Sequence, residues 1–428
     1  MTFKRGLHWS FVSTLVKPPA TTAAAAWLPR AVVAATRSPL PLSRPFSTTR
    51  IVAQHAAQHS DSAGPASAPS SSQEGTTSAT GSSQPSGPGQ DDALSRSRRC
   101  MLYVPGSSEK MIKKSQSSPA DTIIFDLEDS VAAHKKGSAR ETVFLALEAA
   151  ARPGPELAVR INPPSADRSL AEDDLDMVLP SHQLQAIVVP KVEHENDVRL
   201  IVEKARALRP SSAVDKGSLA LVLSVESAAS LLRMPRIIES IREGLGQDSL
   251  TGSLVGASTK QPVAQIVALL FASEDYCAST GILRTRDRKS LLFPRAHMAT
   301  IAKAYNLAAI DMVCIDYKDE AYLVDEAEEA KQLGYDGKQA IHPVQVGAIQ
   351  HTFNPTPEAV HRAARILHLY EHASASENRG AYGLKESDGG MTMIDRPMLL
   401  QASAVVGKAR KAGMKVPEAS ELEQEQQA

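Results

Sequence analysis

One alternation runs through most of this chain. A short apolar, β-rich run is followed by a longer amphipathic stretch, and the unit occurs eight times. The runs are "CMLYVPG" (100–106), "DTIIFDLED" (121–129), "LAVRIN" (157–162), "QAIVVPK" (185–191), "LALVLSVES" (219–227), "AQIVALLFASED" (264–275), "AIDMVCID" (309–316) and "GKQAIHP" (337–343). Between them lie helical patterns such as "GSARETVFLALEAA" and "EHENDVRLIVEKARAL". Continuous apolar strands separated by helices require a parallel sheet covered on both faces. Eight such units predict an α/β fold, a TIM (β/α)8 barrel. A doubly wound open sheet is the structural alternative, but no glycine-rich phosphate loop follows the first run.

The order of residues within each run carries more than the count. Most begin apolar and end polar: DLED, RIN, PK, VES, SED, ID, IHP. In a barrel these endings gather on one rim, where catalytic groups sit. Strands also simply exit into solvent, so a single ending would mean nothing; seven favour a shared site.

Glu226 ends the fifth run and Asp275 the sixth, so adjacent strands would bring two carboxylates together. Two oxygen donors without nearby His or Cys suit Mg²⁺, which takes one or two carboxylates and leaves its other positions to water and substrate. The alternative for Glu226 is a helix-start cap, and for Asp275 a loop carboxylate. Arg160 ends the third run and is costly on a strand without an anionic partner. It could clamp a carboxylate or enolate oxygen, or form an ion pair with the "DLED" acids. Asp126 and Glu128 point the same way by alternation, and one of them is expected to hold Arg160 or a metal-bound water. Lys110 and Lys114 share a helix face, which fits either a solvated surface or phosphate binding. Near the C-terminus, Asp395 stands alone in "MTMIDRPM", as a helix N-cap or, if buried, as a proton carrier with a raised pKa.

The flanks differ in composition. Residues 1–60 contain seven Lys or Arg and no Asp or Glu, the profile of a mitochondrial transit peptide. Residues 61–97 are mostly Ser, Gly, Pro, Ala, Gln and Thr and read as a disordered linker, because they cannot bury enough apolar area to offset ordering entropy. A barrel is expected over 98–350, a helical extension over 351–415 and a frayed acidic tail over 416–428. No apolar run reaches the roughly 18–20 residues that span a bilayer, which predicts a soluble protein. A net charge of −1 gives no hint of nucleic acid, and three scattered cysteines argue against a disulfide scaffold or zinc site.

Ten motifs, "LYVPGSSEKMIKK", "FDLEDSV", "AVRIN", "VPKVE", "SVESAASLL", "SEDYCASTGILRTR", "AIDMVCIDYKDE", "LGYDGKQAIHPVQV", "FNPTPE" and "MIDRPMLLQA", come in an order that resembles citrate lyase β-subunit-like proteins of the HpcH/HpaI aldolase and citrate lyase superfamily. The resemblance covers about 100–412. It implies a TIM barrel with a C-terminal helical extension, assembled as a homotrimer in the mitochondrial matrix. Mg²⁺ would be held by Glu226 and Asp275, and substrate by Arg160. The acyl-CoA would contact Tyr103, Lys110, Lys114, Ile341 and His342. Asp395 would act on a neighbouring subunit's barrel. The implied reaction is a Mg²⁺-dependent retro-Claisen cleavage of citramalyl-CoA to acetyl-CoA and pyruvate. Malyl-CoA lyase, malate or β-methylmalate synthase activity, or a non-catalytic CoA-ester-binding subunit, are the alternatives. The chain departs from the usual family pattern at Ser107, at "FASED", at Arg396 and in a longer segment at 244–262.

Overall fold

The computed structural model describes residues 93–255, 261–376, 382–385 and 390–422, all within one unit of the chain, Ser82–Ala428. The expected transit peptide and most of the expected linker lie outside the described residues. Eight strands close into a parallel barrel in sequence order: β1 Cys100–Pro105, β2 Thr122–Asp126, β3 Glu156–Arg160, β4 Ala186–Val189, β5 Leu219–Val225, β6 Ala264–Phe271, β7 Ala308–Asp311 and β8 Gly337–Ala340, with β8 pairing back onto β1. The open-sheet alternative is thereby excluded. The main helices are α1 Glu109–Ser115, α2 Lys136–Glu148, α3 Arg168–Val178, α4 Glu195–Leu208, the one-turn α5 Ser211–Val214, α6 Ala228–Gly244, α7 Ser273–Thr280, α8 Leu292–Ala304, α9 Glu320–Gln332 and α10 Gln345–Phe353. A C-terminal extension follows: α11 Pro357–Ser376, the hairpin β9 Tyr382–Lys385 and β10 Met391–Ile394, and α12 Arg396–Lys411.

Two layers of side chains explain why these runs form this barrel. Facing outward, residues such as Leu102, Ile123, Phe125, Val159, Ile187, Leu221 and Leu269 pack under the helices. Facing inward, Met101, Ile124, Ala158, Ala186, Val188, Ala220, Val222, Ala268, Leu270 and Ile310 fill the lumen. Alanine recurs inside because a closed ring of eight strands leaves little room. Side-chain alternation then continues the inward set upward, from Met101 to Tyr103, Ile124 to Asp126 and Ala158 to Arg160. The barrel's period of two therefore delivers three polar groups to one rim.

Gly106 closes the top of β1. Its N–H donates to the Asp126 carbonyl at 2.8 Å, and a Cβ there would lie 2.7 Å from that same oxygen. At the other end, Ala93 packs into the lumen cluster, so the fold begins ahead of residue 98.

The extension has its own small core of Ala363, Ile366, Ile394, Ala402 and Val406. Lys408, near the end of α12, lies 3.2 Å from Asp336, just below β8. That end of α12 thus touches the barrel's amino-terminal face. Val416, in the expected tail, packs against the same small core. All three cysteines are free, and no helix among the described residues is long and apolar enough to cross a membrane.

Candidate active site

A cavity of about 450 Å³ opens at the carboxyl-terminal rim, lined by Tyr103, Asp126, Asp129, Arg160, Asp275 and Ile341 among others. Arg160 anchors it. Its Nε and Nη2 donate to the two Asp126 oxygens at 2.7 and 2.8 Å. Its Nη1 lies 3.0 Å from Glu128 Oε2, and its guanidinium stacks 4.9 Å from the Tyr103 ring centre. The expected ion pair with the "DLED" acids therefore forms, and both Asp126 and Glu128 take part. Five donors belong to a guanidinium, and Asp126 uses two, which leaves others for a ligand. Burial alone would raise the Asp126 pKa, but the hydrogen bonds and charge of Arg160 hold it below the ordinary carboxylate value. Burial pushes the Tyr103 hydroxyl well up.

Glu226 follows β5 directly. The expected alternative, that it caps α6, is corrected: Ser227 is the cap, its side chain accepting from Ser230 N–H. The Glu226 carboxylate is left for the rim, buried, where it accepts the Lys191 backbone N–H at 3.1 Å. Asp275 does not end a strand as expected. β6 stops at Phe271, and Asp275 lies in the first turn of α7. The two carboxylates nevertheless meet at one cation: Lys191 Nζ lies 4.0 Å from Glu226 and 3.8 Å from Asp275.

Lys191 is the residue that the sequence reading missed. Its ammonium also pairs with Glu128 at 2.5 Å and lies 3.8 Å from Asp129. Its backbone sits at φ 47°, a left-handed conformation uncommon outside glycine. That conformation aims the N–H at Glu226 while the side chain reaches across to Glu128. The signal was available, since "VPK" ends a run with a polar residue as "VES" does.

Asp126, Glu128, Asp129, Glu226 and Asp275 thus crowd around Arg160 and Lys191. Lys136 supports them from behind, donating to the Leu127 and Glu128 carbonyls. Burial lifts Glu128 to about 7 against the pull of Arg160 and Lys191. Burial, with the Asp275 charge next, also raises Glu226. Glu128 Oε2 is buried and accepts no aligned hydrogen bond despite its closeness to Arg160. Such a surplus of buried carboxylate suits a hard divalent cation. Among the described residues no group of three or more His, Cys, Asp or Glu is arranged to hold a metal. The donor set therefore fits Mg²⁺ bound by two carboxylates with water and substrate oxygens, and it does not fit a closed structural zinc site.

Six expected residues stay outside the cavity lining, and two of them, Glu128 and Glu226, are buried beside it. Lys110 and Lys114 are exposed on α1, beside Met111, which does line it. His342 is exposed and stacks on Tyr317 at 4.7 Å, next to the lining residue Ile341. Asp395 is the N-cap of α12, its side chain accepting from Met398 N–H at 3.0 Å. The expectation that it is buried is corrected: within one chain it is exposed. The final helix begins there, and a cap carboxylate faces the free N–H groups of the first turn.

Comparisons with known proteins identify the family and the fold. The model of the HpcH/HpaI aldolase/citrate lyase family matches residues 99–343. The chain is 34% identical over 311 residues to the human protein named citramalyl-CoA lyase, mitochondrial, covering 72% of this chain and 84% of that protein. It is 30% identical to the Escherichia coli citrate lyase subunit beta, covering 75% of this chain and 96% of the subunit. Among solved structures, Mycobacterium tuberculosis CitE, in complex with magnesium, acetoacetate and coenzyme A, aligns with a TM-score of 0.54 at 25% identity, over 75% of this chain and all of that one. A citrate lyase from Burkholderia xenovorans shares the fold, with a TM-score of 0.60 at 23% identity over 76% of this chain and 96% of its own. The chain belongs to the HpcH/HpaI aldolase/citrate lyase family.

Proposed function

We propose that this protein is a Mg²⁺-dependent carbon–carbon lyase that cleaves citramalyl-CoA to acetyl-CoA and pyruvate. The carrying observation is the meeting of Glu226 and Asp275 at one cation, the Lys191 ammonium, where Asp275 lines the cavity beside Arg160. The human relative's printed name, and the magnesium and coenzyme A bound by the CitE relative, support the substrate class.

Glu226 and Asp275 would hold Mg²⁺, which would supply Lewis-acid stabilisation of charge on the substrate's oxygens. The chain's own residues do the rest. Arg160, fixed by Asp126 and Glu128, presents its remaining donors to developing negative charge on oxygen. Tyr103, held neutral by burial, walls the cavity beneath it. The bond between the hydroxyl-bearing carbon and the methylene carbon breaks, the hydroxyl proton passes to solvent water, and the electron pair passes to the thioester enolate. Asp395 delivers a proton to the enolate carbon, making the methyl group of acetyl-CoA. Lys110, Lys114, Ile341 and His342 contact the CoA portion at the mouth of the site.

Asp395 lies outside its own chain's cavity lining, which supports a homotrimer in which a neighbour contributes it. Mitochondrial residence, in the matrix, is supported by the acid-free, basic stretch 1–60 and by the word "mitochondrial" in the relative's name. The match to bacterial β-subunits favours one competing reading, a CoA-ester-binding partner of a larger complex.

Parallel assays against citramalyl-CoA, malyl-CoA and citryl-CoA, with and without Mg²⁺, test these readings. Magnesium-dependent release of pyruvate from citramalyl-CoA by the purified protein is expected. A preference for malyl-CoA would reassign the substrate, and no release from any of the three would favour the binding subunit. Asp395→Asn should fold, bind metal and lose about 10²–10⁴ in turnover; near-native turnover would remove Asp395 from the mechanism. Mixing Asp395→Asn chains with inactive Arg160→Met chains should restore activity only if the aspartate acts in trans.

A further inference from the structure

Lys191 lies just beyond the end of β4, and its backbone is held without help from its side chain. The N–H donates to Glu226 at 3.1 Å, and the carbonyl accepts from Ser165 Oγ at 2.8 Å. The ammonium makes contacts of two kinds. It donates a short hydrogen bond to Glu128 at 2.5 Å. It stands 4.0 Å from Glu226 and 3.8 Å from both Asp275 and Asp129, too far for a hydrogen bond. Among the described residues it is the one cation within ion-pair distance of Glu226 or Asp275.

Two carboxylates close enough to share one ammonium repel each other when nothing positive stands between them. The lysine answers that repulsion only in part. Attraction falls with distance, and its side chain is 33% exposed to water. Its anchor is Glu128, which is not one of the two proposed metal ligands. Lys191 can therefore give up Glu226 and Asp275 without losing its own hydrogen bond. A lysine suits such a part, being a compact charge on a flexible stem. Arg160, by contrast, is locked to Asp126 by two hydrogen bonds.

We infer that the Lys191 ammonium is a placeholder for the metal: it partly neutralises Glu226 and Asp275 in the metal-free protein and yields them to Mg²⁺ while keeping Glu128. This inference rests on the proposed Mg²⁺ site and adds to it the residue that limits its affinity. The lysine spares the metal-free protein the repulsion between its two acids, and its positive charge opposes the entering cation.

The test is isothermal titration calorimetry of metal-stripped, full-length protein with MgCl₂, alongside thermal unfolding without metal. Lys191→Met removes the charge, keeps an unbranched stem, and leaves both backbone contacts of residue 191 available. It should bind one Mg²⁺ per chain about tenfold more tightly than the parent. Its Tm without metal should be lower, and the rise in Tm on adding Mg²⁺ larger. Lys191→Arg keeps the charge and should stay near the parent affinity. A lysine that served only to hold Glu128 would lower the Tm when replaced and leave the affinity unchanged or weaker. A second measurement uses the parent alone. Labelling with acetic anhydride, read by mass spectrometry, should modify Lys191 faster with Mg²⁺ than without, relative to the other lysines, because the amine is released from two of its acids. Equal or weaker Mg²⁺ binding by Lys191→Met, or labelling that Mg²⁺ does not speed, would overturn the placeholder role while the metal site stands. No Mg²⁺ binding by the parent would overturn both.

Discussion

Strand β3 reads "ELAVR", an acid at its start and a base at its end, about 13 Å apart. Glu156 lies on a face where arginines are in excess, and Arg160 on a face where carboxylates are in excess. Each is the minority charge of its own rim. Glu156 pairs with Arg98. Arg160 pairs with Asp126 and Glu128, while Glu128, Asp129, Glu226 and Asp275 share Lys191. The two ends follow the same physics with opposite sign. A third region shows what completion within the chain looks like. Asp311 and Glu326 are fully buried against Arg295 and Lys338, at 2.7–3.0 Å, and the charges balance.

Breaking the minority charge at either end should cost most. Arg160→Met leaves Asp126 and Glu128 buried without their guanidinium, and Glu156→Gln leaves Arg98 in the same position. Removing one partner of a buried pair costs about 3–5 kcal/mol, so urea unfolding should show a loss of that order in both. The contrast sharpens with added ions: Mg²⁺ should recover stability in Arg160→Met and not in Glu156→Gln. Recovery in both would break the comparison.

A smaller loss is expected from Gly106→Ala. The added methyl would meet the Asp126 carbonyl at 2.7 Å and push apart the ends of β1 and β2 that carry Tyr103 and Asp126. Overpacking of this kind costs about 1–3 kcal/mol. Urea unfolding with no loss would show that the top of the barrel is looser than the hydrogen bond from Gly106 suggests.

The pH dependence is subtler. Burial raises Glu128 from 4.5 to about 7 in the folded chain, so between those values the folded protein binds a proton that the unfolded chain has released. Stability of metal-free protein should therefore fall as pH rises from about 4.5 to about 7. Glu128→Gln should flatten that slope, and an unchanged slope would place the acid strain elsewhere.

Much of the barrel was legible because its period and its apolar runs are local. Asp126 and Arg160 were legible at the ends of their runs, whereas Tyr103 came only from the family resemblance. Boundaries were less visible. The seventh run was read to Asp316, but β7 ends at Asp311, whose carboxylate goes to Arg295 and Lys338 instead of the rim. Asp275 was placed on a strand but belongs to a helix turn, since "SEDYCAST" has no β-branched run to extend β6. Lys191 was passed over because a lysine at a strand exit usually faces water, and only the fold reveals four carboxylates around it. Asp395 is an N-cap within one chain, and its proposed role in a second copy's barrel is not something sequence periodicity can describe.

The central claim is that Glu226 and Asp275 hold one divalent cation beside Arg160. Titrating purified protein with Mn²⁺ and following it by electron paramagnetic resonance tests this directly. One site per chain is expected, displaced by Mg²⁺ and abolished in Glu226→Gln/Asp275→Asn. Binding that survives the double substitution, or no binding by the parent protein, would contradict the account.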